Sequence, residues 1–435
     1  MQKPASKYLF YLLFLIGILS CKQEKETAPE APKINLVSVY SLNPTQAEAK
    51  IELTGIRNNS PKEYGLVWSE SPNPTINNNK KTAAANPEDG ISTLVLSELQ
   101  LETTYYVRAY IKLGNDYYYS NNITLSHRGP FIWRSLASIN WSDKPNLVSS
   151  VAFRSGVIVV RPIDNINTEV WYYFAPGNNW QQQKDLVLQA ARFEPLLFKL
   201  NKFGDEATYF GGGYQVKENI PGKYIYLKDF WQYDFFSGGT SEEYPDFPFG
   251  LANLTHFTLD TRTYVIENSA NRSVWMLLNG MSWHKKNDFP GTISERYVGF
   301  AAGNKGYILE EDKSATGQTK KLYEYNPDAD TWVRKADFPG EDRVNGMAFS
   351  VNNKGYYGLG QAKDSPQGFS DIWQYNPTTD SWIKFTDYPG IGHVGVTANT
   401  IGNKAYLGLG LRVKASAAGA EEYLPATDFW EVKPD

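Results

Sequence analysis

Residues 371–390 read Asp-Ile-Trp-Gln-Tyr-Asn-Pro-Thr-Thr-Asp-Ser-Trp-Ile-Lys-Phe-Thr-Asp-Tyr-Pro-Gly, and residues 321–340 carry the same frame one unit earlier. There Tyr323-Glu-Tyr325-Asn326-Pro327 is followed by Asp330-Thr-Trp332 and by Asp337-Phe338-Pro339-Gly340. A period near 50 residues is the size of one small sheet in a radial array, which fixes the architecture before any single residue is weighed. It also favours binding over chemistry, because a ring of like units is a scaffold that displays loops.

The repeat marker is a pair of bulky aromatics. The first members are Trp171, Trp231, Trp275, Tyr323, Trp373 and Trp430. Trp180, Trp283, Trp332 and Trp382 follow as second members, and the second unit offers Tyr244 at a longer distance. Trp430 has no partner, because the chain stops at Asp435. Upstream, Phe131-Ile132-Trp133-Arg134 stands alone. A strand from there would complete the last unit and remove an unpaired edge. Six units are expected, the last shared between the two ends of the region.

Each unit reads as four short strands. In the fifth they are expected at 345–351, 355–360, 371–375 and 381–385, from innermost to outermost. Pro327 and Pro377 sit at the second position of turns, where a fixed φ suits type I geometry. Gly211, Gly212, Gly213, Gly358, Gly360, Gly408 and Gly410 punctuate the second strands. The expectation is that they let neighbouring sheets approach near the axis.

These glycines, the spaced aromatics and the Phe-Pro-Gly or Tyr-Pro-Gly corners at 289–291, 338–340 and 388–390 resemble the kelch-type β-propeller. The resemblance covers 130–435 and implies six blades, with Trp133 and the aromatic pairs as blade-core packing.

The amino terminus has Lys3 and Lys7 before an apolar run over 8–19. That is shorter than the ~20 residues a spanning helix needs, so 1–20 reads as an export signal. Ile18-Leu19-Ser20-Cys21 resembles the lipobox of bacterial lipoproteins, which implies a lipid on Cys21. Cys21 is the only cysteine, so it forms no internal disulfide. Residues 21–33 are charged and Pro-containing, the composition of a flexible tether. Together they resemble lipoproteins of Bacteroidota and imply an outer-membrane anchor with the protein at the cell surface, a periplasm-facing arrangement being the other option.

Residues 34–127 form a second unit. Segments 34–42, 49–56, 64–69 and 93–99 alternate apolar and polar side chains, as half-buried strands do. Tyr105, Val107, Ala109 and Ile111 share one face. This resembles a fibronectin type III or Ig-like sandwich with Tyr105 as its tyrosine corner. Residues 126–130 are the expected hinge. The fold class expected is therefore all-β, a sandwich followed by a propeller closed by an N-terminal strand.

Net charge is −4 with no basic run, which argues against nucleic acid. The four histidines, His127, His256, His284 and His393, show no zinc-helix spacing, and there is no cysteine pair. No nucleophile elbow or phosphate loop occurs, so no metal and no cofactor are expected. One constellation remains. The corners that enter the innermost strands carry Arg192, His256, Arg296, Arg343 and His393. Loops at 214–227, 310–320, 361–369 and 411–426 emerge on the same face. Arginines there can grip carboxylates in bidentate fashion, or tie one blade to the next.

Three functions follow. The favoured one is a non-enzymatic scaffold, an accessory subunit of an outer-membrane barrel complex. The second is a glycan-binding surface lipoprotein of a polysaccharide-uptake system. The third is an enzyme similar to sialic-acid mutarotases, using Arg192 with Glu194 or Arg296 with Glu295.

Overall fold

The computed structural model describes residues 32–434 apart from 44, 57–62, 85, 128–131, 141–146, 184–190, 203, 218–222, 235–240, 249–253, 280–281, 295, 312–319, 363–367 and 416–420. The export signal, Cys21 and the tether through residue 31 lie outside the described residues, as do Glu295 and most of the expected hinge. Among the described residues the chain is all-β, built of antiparallel sheets without a helix.

The N-terminal unit has two sheets. Lys33–Asn43, Gln46–Thr54 and Gly90–Leu96 form one. Glu63–Ser69, Thr103–Leu113, Asp116–Tyr119, Asn79–Thr82 and Ile123–His127 form the other. Alternate residues of both turn inward, so Leu36, Ile51, Leu66, Trp68, Val107 and Ile111 share one core. The Tyr105 hydroxyl accepts a hydrogen bond from the Gln100 backbone N–H at 3.0 Å, which pins the corner ahead of its strand. The last strand runs to His127, whose ring is fully buried with Nδ1 2.8 Å from Ser41 Oγ. Any hinge therefore begins later than residue 126.

Residues 133–432 form six four-stranded sheets, here I to VI. Their first strands are Ser149–Phe153, Leu196–Lys202, Thr255–Leu259, Arg296–Ala302, Met347–Val351 and Thr397–Ile401. Each packs on the next, and the sixth packs on the first. Asn399 Nδ2 donates to Ser150 Oγ at 2.8 Å across that last junction. The apolar residues form one cluster in every seam, from Val151 with Phe210 between I and II to Tyr173 with Phe429 between VI and I. The strand order is thus cyclic, with a hydrophobic layer between every adjacent pair.

Sheet VI draws its fourth strand, Trp133–Ser135, from the other end of the region. It pairs antiparallel with Phe429–Val432, Val432 opposite Trp133. Trp133 also supplies the aromatic partner that Trp430 lacks in sequence. It meets Tyr388 edge-on at 5.6 Å and donates to Thr386 Oγ1 of sheet V at 3.2 Å. The second-member tryptophans repeat this act. Trp180, Trp283, Trp332 and Trp382 donate their indole N–H to Ala137, Pro245, Asn287 and Ala336 carbonyls, each just beyond the outer strand of the preceding sheet. Apart from Trp430, these tryptophans are half-buried. They staple the rim of one sheet to its neighbour as well as filling volume.

The strand-two glycines serve a different end from the one expected. A Cβ on Gly211, Gly358 or Gly408 would strike the carbonyl of Asp229, Asp371 or Asp428 in the same sheet. One on Gly213, Gly360 or Gly410 would strike the carbonyl of Phe193, Val344 or Val394 in the corner of the first strand. Between each pair lies a left-handed residue: Gly212, Leu359 or Leu409. At these positions the close approach is within a sheet and turns a backbone carbonyl out of the ladder, whereas at Gly306 and Gly355, also in second strands, a Cβ would strike Phe257 or Phe300 of the preceding sheet.

The N-terminal unit docks on the ring. Tyr40 meets Trp430 edge-on at 4.7 Å. Arg412 of sheet VI's ribbon pairs with Glu52, and Lys50 pairs with Asp428 at 3.2 Å. Lys50 and Asp428 are both almost wholly buried, with side chains 7 % exposed. Replacing Lys50 with Met is expected to cost about 3 kcal/mol in chemical denaturation, because it leaves a buried carboxylate unpaired. It should also expose 126–135 to protease. Unchanged stability and unchanged cleavage would contradict the docking.

Candidate functional site

Three sheets share one local device. An Asp opens the third strand two residues ahead of the first-member tryptophan, as in Asp229-Phe-Trp231, Asp371-Ile-Trp373 and Asp428-Phe-Trp430. In each case the indole N–H donates to Oδ2, at 2.9, 2.6 and 2.6 Å. The carboxylate and the freed carbonyl beside it make a socket for a cation. In sheet II the socket holds Arg192, bidentate to Asp229 at 2.8 and 2.6 Å and 3.1 Å from the Gly212 carbonyl. In sheet V it holds Arg343, bidentate to Asp371 at 2.7 and 2.8 Å and 3.2 Å from the Leu359 carbonyl. Burial pushes the Asp229 and Asp371 carboxyls up, but the arginine hydrogen bonds outweigh it and hold both below the ordinary value.

Sheet VI has His393 where an arginine would stand. Its Nδ1 lies 3.1 Å from the Phe369 carbonyl, and burial lowers its pKa. The cation in that socket is Lys50 of the N-terminal unit, which also sits 4.7 Å over the Trp430 ring. A lysine is a point charge, so it meets Oδ2 only, and Oδ1 of Asp428 has no hydrogen bond among the described residues.

Arg192 and Arg343 are therefore tied into the scaffold, and His393 lines a separate hollow beside the N-terminal unit. Arg192 pairs with Asp229, while the charge that acts on Glu194 is Arg296. This corrects the expectation that all five corner residues form one recognition set. Only His256 and Arg296 line the cavity on the axis.

That cavity measures about 460 Å³, within the ligand range. Its mouth is set by equivalent positions at the heads of the inner strands: Leu147, Glu194, Arg296, Asn345 and Gly395. Each precedes by two residues Ser149, Leu196, Val298, Met347 or Thr397, which pair with Val160, Gly211, Leu309, Gly358 and Gly408. Arg296 Nη1 donates to Asn345 Oδ1 at 3.3 Å. Burial raises the Glu194 carboxyl above its usual value, and Arg296 partly offsets this. Glu311 is fully buried beneath and accepts from the Asn345 and Gly346 N–H groups at 2.9 Å and from Tyr357 at 2.7 Å. His256 lines the cavity, and burial pushes its imidazole down to about 4. The wall thus carries a neutral imidazole, one guanidinium, the Glu194 and Glu311 carboxyls and an amide on the side of sheets II to V; Leu147 and Gly395 stand opposite, with Ser149, Ser150 and Thr397 next along their strands.

Two of the expected loops carry ribbons. Tyr214–Val216 pairs with Tyr224–Tyr226 above sheet II, and Leu411–Ala415 with Glu421–Pro425 above sheet VI. Both join second to third strands, so they rise on the face that holds the corners and the cavity.

No protein-family model matches the chain, and no curated protein does. Among solved structures the chain is similar to YjhT, with a TM-score of 0.45 and 12% identity over 65% of this chain and 94% of that one. It is also similar to a DUF4784 family protein from Bacteroides caccae, with a TM-score of 0.31 and 8% identity over 82% and 96%. Both likenesses extend to the all-β class and no further.

Two outcomes separate scaffold from site. Arg343→Met is expected to cost about 3 kcal/mol in chemical denaturation, since it removes a fully buried guanidinium and strands a half-buried carboxylate, whereas Arg296→Met should change stability by under about 1 kcal/mol. Equal losses would contradict the assignment. His256 holds its proton only below about pH 4 in the fold, against 6.5 in the unfolded chain. The unfolded chain then binds the extra proton, so this residue's contribution is full above 6.5 and is lost as pH falls towards 4. An imidazole NMR titration should show His256 neutral at pH 5; a midpoint near 6.5 would contradict it.

Proposed function

We propose that this chain is a binding module held at the outer membrane by a lipid on Cys21, and that sheets I to VI are the blades of a kelch-type β-propeller. Its recognition face is the one that carries the axial cavity. The observation behind this is the division of the corner cations. Arg192 and Arg343 are locked into sheet II and sheet V, which leaves Glu194, Arg296 and Asn345 around a concave space of about 460 Å³. A ligand-sized hollow with a few convergent polar groups is the ordinary form of a small-molecule site. A rigid ring with a docked second unit also suits an accessory role beside an outer-membrane protein, to which the lipid would confine it.

Two measurements test the proposal. Labelled palmitate should be incorporated and the chain should fractionate with outer membranes; Cys21→Ser should abolish both, and a soluble wild type would refute the anchor. The full chain should give signal on arrays of immobilised glycans and peptides, and Arg296→Met should remove it. Silence on every probe, or signal indifferent to Arg296, would refute the cavity as the site.

A further inference from the structure

The exposed apolar residues are not scattered evenly. Five of the twelve large exposed hydrophobics among the described residues lie above sheets I and II: Val216, Tyr224 and Tyr226 on one face of the ribbon, Ile225 on the other, and Ile166 in the neighbouring loop of sheet I. Tyr224 and Tyr226 are 48% and 44% exposed. The ribbon register places Tyr214 opposite Tyr226 and Val216 opposite Tyr224. The pleat then puts these four side chains on one face and Gln215 with Ile225 on the other. The rings form a cluster, with Tyr214 and Tyr224 centroids 4.9 Å apart and Tyr224 and Tyr226 6.4 Å apart.

This face is rigidly held. Asn165 of sheet I donates to the Val216 carbonyl at 2.7 Å and accepts from the Val216 N–H at 3.0 Å. Gln215 Nε2 donates to the Ala191 carbonyl at 2.8 Å. Phe193 stacks under Tyr214 at 5.6 Å, and the two exchange backbone hydrogen bonds. An apolar patch built on fixed backbone and left in water marks an interaction surface.

The patch adjoins the cavity. Tyr214 exchanges backbone hydrogen bonds with Phe193, whose chain neighbour Glu194 lines the cavity; burial, then the Glu194 charge, pushes the Tyr214 hydroxyl up to about 12. Glu194 in turn faces Arg296 across the mouth. A single ligand can therefore lie on the tyrosines and enter the hollow. At the mouth the charges are Glu194 and Arg296; the Glu311 carboxylate, which also lines the cavity, is fully buried and taken up by the Asn345 and Gly346 N–H groups and the Tyr357 hydroxyl. A phosphate or carboxylate on the ligand would meet Glu194, and an ammonium would meet Arg296. Uncharged hydroxyls, which both donate and accept, complement the pair without opposing either charge.

We infer that the ligand is a neutral oligosaccharide, with one sugar ring lying its apolar C–H face on Tyr224 and Tyr226 and a further unit held in the axial cavity by Glu194, Arg296 and Asn345. This rests on the cavity being the binding site. Tyrosine suits the role because it joins a wide apolar face to a polar tip at little entropic cost.

Calorimetry on the full chain tests it with linear neutral hexasaccharides and disaccharides of glucose, mannose, galactose and xylose, and with neutral hexapeptides. At least one hexasaccharide is expected to bind. The double variant Tyr224→Ala/Tyr226→Ala should weaken it at least tenfold while leaving the corresponding disaccharide unchanged, and Arg296→Met should weaken both. The inference is overturned if the double variant binds the hexasaccharide as wild type does, or if hexapeptides bind and no sugar does. Peptide binding lost in Arg296→Met would overturn the sugar class alone and keep the cavity as the site; no binding by any probe would overturn both.

Discussion

A carboxylate at the head of a third strand, half-buried in three sheets and almost wholly buried in the sixth, is the constraint from which most of this molecule follows. Such an acid is costly unless a cation and hydrogen-bond donors meet it. Asp229 and Asp371 find theirs in the corner of their own first strand, through Arg192 and Arg343. Sheet I solves the same problem with Glu169, whose partner Arg161 comes from its own second strand. Among the described residues Asp428 pairs with no arginine of the ring, and Lys50 comes from the N-terminal unit. The two units are thus coupled by a requirement of the ring itself. Tyr40 on Trp430 and Arg412 on Glu52 surround that pair and keep water from it.

The same rule explains why Arg296 stays available. In sheet IV the position two residues ahead of the first-member aromatic Tyr323 is Lys321, not an acid, and the corner position that matches Arg343 is Ser294. Ser294 Oγ donates instead to the Glu311 carbonyl. With no socket to fill, the arginine of this sheet lies two residues further along and turns to the axis. Site and scaffold are therefore separated by a shift of two residues within a repeated frame.

That separation shows how far the sequence could be read. The six-fold aromatic marker and the stray Trp133 are large side chains at a steady interval, so the sheets and the shared last one were legible. The Asp-x-Trp spacing was equally present, at 229, 371 and 428, and shows in advance which corner arginines have a partner. Lys50 carried no such signal. It alternates outward from its own sheet between the core residues Ala49 and Ile51, and it is buried only because another unit lies against it. The short strands Asn79–Thr82 and Ile123–His127 and the two ribbons are edge additions, whose pairing depends on a neighbour and not on local pattern. The glycines were visible but their reason was not, because the carbonyls they avoid belong to residues far along the chain.

The mouth of the cavity also carries a polarity that no single repeat encodes. Six-fold likeness in the backbone puts five described side chains at equivalent heights, yet Glu194, Arg296 and Asn345 fall on one arc and Leu147 with Gly395 on the other. Gly395 sits at φ 60°, and a Cβ there would run into Leu147. The glycine is therefore what admits the leucine to the mouth. Val394, Leu411 and Val413 form an apolar cluster behind it, with Leu147 packed against them. At this height a polar arc faces an apolar one, while Ser149, Ser150 and Thr397 bring hydroxyls to the apolar side further along the strands. The neutral imidazole of His256 on the cavity wall adds a donor or acceptor without adding charge. The asymmetry of this hollow comes from small departures at matched positions of a repeated frame, so a ring of like sheets encloses a space that is not itself symmetric.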